Sequence, residues 1–189
     1  MTNVVPAPMR GFIKNFIESS DELMRSLQEG AITLAQWRER MEILIERYHT
    51  IAMTMGTGEA LTALQIQSVQ NQVELQTVFL DRFRDEMAER PDYFPVWRAR
   101  MYTLAPLIPY QEGKIIKEIG RMLPLPAMPK QGTQCLTNCG CKWRIVAIDE
   151  EAGDYDAYWE RSKIDSCQTC LIREELWYPV QIRGWELLE

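Results

Sequence analysis

Five cysteines fall between Cys135 and Cys170, and no cysteine precedes them. Their pattern is Cys135-x-x-x-Cys139-x-Cys141, then, past a run of strand formers, Cys167-x-x-Cys170. Two tight clusters separated by a β-hairpin are the arrangement in which two loops grip one zinc ion. A Cys-x-x-Cys turn lets both sulfurs point the same way. Gly140 suits a turn whose backbone must leave the metal quickly. Tetrahedral zinc takes four thiolates, so Cys167 and Cys170 are the expected ligands of one cluster, with two more from Cys135, Cys139 and Cys141. Four protein ligands close such a site, so a structural zinc is expected rather than a catalytic one. Disulfides, in oxidising surroundings, and unpaired thiols are the alternatives, and the spacing does not single out an iron–sulfur cluster. Cys167-Gln-Thr-Cys170 has the form of a redox pair but lacks a surrounding βαβ pattern.

Other candidates carry less. The single histidine, His49, is the only pivot for a His-based triad and reads as a surface or interface residue. Met53-Thr-Met-Gly-Thr-Gly58 lacks the Lys-Ser/Thr of a phosphate loop, so a helix–helix turn is expected. The acidic run Asp149 to Asp156 lacks EF-hand register and reads as a solvated hairpin tip. Arg98 and Arg100 follow Trp97, and a solvated helix face accounts for them as well as phosphate contact does. No catalytic constellation emerges, and a non-enzyme is expected.

The elements that must position the cysteines follow from the rest of the 189 residues. Residues 1–122 read as a helical domain of four to five helices, and 123–189 as a cysteine-rich zinc-binding subdomain. The boundary is set by Pro124, Pro126 and Pro129, which cannot continue a helix and favour an extended connection. Phe12, Ile13, Phe16, Ile17, Leu23, Met24 and Leu27 form a helical stripe, with Gly30 as its cap. Thr33-Leu-Ala-Gln36 has capping-box spacing ahead of Trp37, Met41, Leu44, Ile45, Tyr48 and Ile51. A third helix is expected over 59–89, striped by Leu61, Leu64, Val69, Val73, Phe79, Leu80, Phe83 and Met87. Pro95 suits the first turn of a fourth helix ending before Pro106, and a last segment spans about 108–121. In the tail, Trp143 to Ile148 and Tyr155 to Ser162 read as a hairpin, Cys167 to Trp177 as a short helix, and Tyr178 to Ile182 as a further strand. Some of Trp143, Trp159, Trp177 and Trp185 are expected to pack around the site, and any left exposed would mark a partner surface. The fold class is therefore mainly α with a small α+β tail: a helical bundle followed by a zinc-stapled β-hairpin subdomain.

A net charge of −6 disfavours a protein that coats nucleic acid, because phosphate binding needs a positive surface. The chain lacks an apolar run long enough for a membrane span and begins without a signal-peptide pattern, so a cytosolic origin is expected.

The run Leu125-Pro-Ala-Met-Pro-x-x-Gly-x-x-Cys135-Leu-Thr-Asn-Cys139-Gly-Cys141-x-Trp143 resembles the tail of minor head, or head-morphogenesis, proteins of tailed bacteriophages and prophages. Asp156-Ala-Tyr-Trp159, Cys167-x-Thr-Cys170 and Trp177-x-Pro179 are similar as well. So, in order and spacing, are Gly30 to Trp37, the Gly-containing break at 56–58, Leu75 to Phe83, Arg98 to Tyr102 and Tyr110-x-x-Gly113. The resemblance covers most of 20–180, and the cysteine block is its most specific part. It implies a virion protein assembled in the host cytoplasm, acting in head assembly, genome packaging or delivery. Its partners would be the portal and the major capsid protein within a homo- or hetero-oligomeric assembly, with at most weak DNA contact and no membrane. The rival class is a cytosolic zinc-containing regulatory module whose helices capture a protein partner.

Overall fold

The computed structural model describes residues 5–90, 92–132, 140–162 and 167–188. Cys135 and Cys139 lie outside them. The chain is mainly helical, with a small antiparallel sheet toward its C-terminus. Two compact units divide it, Val5–Gly113 and Lys114–Glu189. The division falls inside a helix, ahead of the proline-rich stretch.

In the first unit, α1 (Ala7–Gln28) buries Met9, Ile13, Phe16, Ser20, Met24 and Leu27, the three- and four-residue steps of one face. Gly30, at φ 71°, ends it: the Gly30 N–H donates to Leu27 O and the Ala31 N–H to Ser26 O, a Schellman closure. α2 (Leu34–Thr57) starts at the capping box expected from sequence. The Gln36 N–H donates to Thr33 Oγ1 at 3.2 Å and the Thr33 N–H to Gln36 Oε1 at 2.9 Å. α3 (Ala63–Glu89) repeats the device with Thr62 and Gln65, so the helix begins later than residue 59. Each such cap contributes about 1 kcal/mol.

α2 packs against both α1 and α3. Arg38 of α2 clasps α3 through Asp81 at 2.9 Å while also pairing with Glu42. This guanidinium, chiefly by its hydrogen bond, holds the Asp81 carboxyl below its ordinary value. Two residues of the expected α3 stripe are not in the core: Leu64 is 73% exposed and Phe79 50%. α3 buries the face of Gln65, Val69, Gln72, Val73, Leu80, Phe83 and Met87, and Leu64 and Phe79 stand off that line.

α4 (Val96–Met101) follows Pro95, which takes the N-cap position, and continues as a single 3-10 turn, Tyr102–Leu104. α5 (Leu107–Ile119) brings Leu107 and Tyr110 onto Met9, Ile13 and Ala52. Gly113 permits the approach of α5 to α2, since a Cβ there would lie 2.6 Å from Met53 O and 2.9 Å from Thr57 N. Among the described residues no helix is long and apolar enough to cross a membrane.

The second unit holds β1 (Lys142–Asp149), β2 (Asp154–Glu160), α6 (Gln168–Leu176), β3 (Val180–Arg183) and β4 (Glu186–Leu187). The strands lie in the order β1-β2-β3-β4, each pair antiparallel. β2 alternates strictly, burying Tyr155, Ala157 and Trp159 while Asp156 and Tyr158 face outward. β4 was not expected from sequence. Its hairpin turns on Gly184 and Trp185 at φ 56° and 71°, the pair of left-handed residues a two-residue turn requires. A Cβ on Gly153, itself at φ 79°, would run into the Trp185 indole. The Trp185 N–H donates to Gly153 O at 3.0 Å, and Arg121 lies 4.2 Å over the indole.

Candidate metal centre

Cys167 is the N-cap of α6 and Cys170 lies in its first turn. The Cys170 N–H donates to Cys167 O at 3.0 Å, which closes the turn and turns both thiols the same way. Their sulfurs stand 3.5 Å apart, with no disulfide between them. Two thiolates on one tetrahedral zinc, at the usual Zn–S length, stand about 3.8 Å apart. The pair therefore fits half of a four-thiolate site. Cys170 is fully buried and Cys167 half-buried. The helix N-terminus also favours anionic sulfur.

Cys141 is buried just before β1, two positions from Trp143. Among the described residues, no three His, Cys, Asp or Glu groups are placed to hold a metal together. Cys135 and Cys139, the other expected ligands, lie outside the described residues.

Three tryptophans pack beside α6. Trp143 meets Trp159 edge-on at 5.2 Å and stacks on Trp177 at 5.6 Å, while Trp159 meets Trp177 at 5.5 Å. Arg173 of α6 sits over the Trp159 and Trp177 rings, and the Trp143 Nε1–H donates to Ala127 O at 2.8 Å. Trp185 packs elsewhere, against Tyr155.

The remaining candidates are absorbed by the fold. His49 is fully buried in α2, not at a surface, because it continues the core line Met41, Ile45 at four-residue steps. Its Nδ1–H donates to Ile45 O at 2.8 Å, which leaves Nε2 as an unprotonated nitrogen with no partner among the described residues. Burial pushes its pKa down to about 4. Arg98 pairs with Glu86 and lies over Phe83, and Arg100 donates to both oxygens of Asp21. Trp97, just before them, is 63% exposed. In the acidic hairpin, Asp149 accepts from the Ala152 N–H, Asp154 from the Gly184 N–H, and Asp156 from Arg183. Met53 to Gly58 is the end of α2, with Gly58 left-handed.

One polar contact was not legible in sequence. Glu112 of α5 accepts from Ser68 at 2.8 Å and Gln72 at 2.7 Å, both on α3, and burial raises its carboxyl above the ordinary value. The small polar residues spaced by four on α3 were its only trace.

Compared with known proteins, the chain matches no family model, no curated protein and no solved structure.

Proposed function

We propose that this chain is a structural, non-enzymatic component of a tailed-phage virion, a minor head or portal-vertex protein, whose C-terminal unit is stapled by a structural zinc. The observation that carries the zinc is the pair of Cys167 and Cys170 sulfurs, 3.5 Å apart on one helical turn. Cys167 and Cys170 with Cys135 and Cys139 would hold the ion, since Cys141 is not grouped with the pair among the described residues. Zinc bound by four thiolates supplies folding free energy and offers no open position for chemistry. A unit this small, with a four-stranded sheet and one short helix covering it, gains most from such a staple.

The virion reading rests on the resemblance carried by the cysteine block. The fold is compatible with it: the helical unit spends Arg38, Arg98 and Arg100 on internal carboxylates, which leaves no cluster built from them for DNA. Exposed Leu64, Leu75, Val78 and Phe79 on α3 give it apolar surface for neighbouring virion proteins. Portal and major capsid protein are the proposed partners, in the virion, after assembly in the host cytoplasm.

Elemental analysis of the purified chain, with thiols counted before and after chelation, tests the zinc. A single zinc with one reactive thiol is expected; a metal-free chain with two disulfides would replace the staple by an oxidised one. Sedimentation of the tagged chain with phage heads tests the location. Its absence from purified heads would remove the virion reading and leave the zinc unit standing.

A further inference from the structure

Leu75, Val78 and Phe79 are 49%, 50% and 50% exposed on α3. Val78 and Phe79 follow Leu75 by three and four positions, so the three side chains form one contiguous apolar patch. The opposite face of the helix, with Val69, Val73, Leu80 and Phe83, is spent on the core. We infer that a second copy of the chain docks on this patch, α3 against α3, in an antiparallel two-fold contact centred on Val78. The inference names one neighbour for α3 and rests on the reading of that helix as an assembly surface.

The charges around the patch select that occupant. Asp81, Arg84, Asp85 and Glu86 are paired inside the chain: Asp81 with Arg38 and Arg84, Asp85 with Arg84, and Glu86 with Arg98. Glu74 and Arg82 form no ion pair among the described residues, and they lie four positions before and after Val78. That is about 6 Å along the helix on either side. In an antiparallel pair turning about Val78, Glu74 of one copy stands level with Arg82 of the other, and symmetry repeats the contact. Asn71 and Asp85 obey the same relation seven positions out. Asn71 Oδ1 accepts from Gln67 Nε2 at 3.0 Å, which leaves the Asn71 amide N–H groups to donate to a carboxylate across the seam. Val78 then meets its own copy on the axis, and Leu75 and Phe79 of both copies close around it and leave water. A parallel pair would set Glu74 beside Glu74 and Arg82 beside Arg82, like charges that oppose association. A different partner would have to supply this order of amide, acid, base and carboxylate in reverse; a second copy already carries it.

Sedimentation equilibrium of the purified full-length chain tests this, with a thiol reductant present so that no disulfide links copies. A monomer–dimer equilibrium is expected for the wild type. Val78→Glu places two carboxylates on the axis and should leave only monomer. Glu74→Arg or Arg82→Glu alone should raise the dimer Kd about tenfold, because each turns two attractions into two repulsions. The double reversal, Glu74→Arg with Arg82→Glu, should restore the wild-type Kd. Far-UV circular dichroism confirms the helix content of each variant. A wild-type chain still monomeric at about 1 mM overturns the inference. So does a dimer that Val78→Glu leaves intact, or a double reversal no tighter than the single ones. These measurements need no phage particle: a dimer absent from heads removes the virion reading alone, and a monomer found in heads removes this contact alone.

Discussion

His49 shows how position on a helix decides what a side chain can do. Its imidazole sits in the α2 core line, donates to its own helix, and is kept neutral by burial. A buried histidine with its pKa near 4, against an ordinary 6.5, binds fewer protons folded than unfolded between those values. Stability from this group is therefore complete above pH 6.5 and is lost as pH falls toward 4, by about 3 kcal/mol in total. Urea midpoints measured from pH 7 to pH 4 should fall more steeply for the wild type than for His49→Leu; parallel curves would place the imidazole in solvent. Gly113 is a second residue with a defined role. Its missing Cβ admits the α2 backbone at Met53 and Thr57, which cannot move aside as a side chain would. Gly113→Ala should lower the stability of the helical unit by about 2 kcal/mol, measured by denaturant unfolding.

At the scale of elements, the same grammar operates twice. Thr33 and Gln36 open α2, and Thr62 and Gln65 open α3, each by reciprocal side-chain-to-backbone bonds. In the tail, α6 combines two tasks: its first turn presents Cys167 and Cys170, and its next turn sends Arg173 to Gln131. Cys170→Ser should therefore disorder much of the tail and leave α1, α2 and α3 formed. Hydrogen exchange would show this as lost protection in β1, β2 and α6 with the helical amides unchanged. Equal loss throughout would mean that the two units fold as one. The β3–β4 turn gives a sharper local test. Gly153→Ala meets both a positive φ and the Trp185 ring, and should destabilise the sheet by about 2 kcal/mol while Gly184→Ala, with open space around it, should cost less.

For the whole molecule, chelation is the decisive perturbation. On the proposed zinc reading, chelation should lower the melting of Lys114–Glu189 selectively and leave Val5–Gly113 near its original transition, seen as two steps in calorimetry. The sequence by itself determined the helical repeats, the Thr33 cap, the glycine stops and the β1–β2 hairpin, because each depends on near neighbours and the local period of apolar residues. It also determined that Cys167 and Cys170 form a pair, since a Cys-x-x-Cys turn is local geometry. Only the tertiary structure decided which face of α3 was buried, so that Leu64 and Phe79 lie outside it. The same holds for His49, whose burial depends on what packs over α2. It also decided the Arg173–Gln131 bond and the Glu112 contacts, because partners about 40 positions apart leave no periodic signal in the chain. The short β4 strand belongs with these: it exists because Trp185 finds Gly153 across the sheet, a contact no window of local sequence contains.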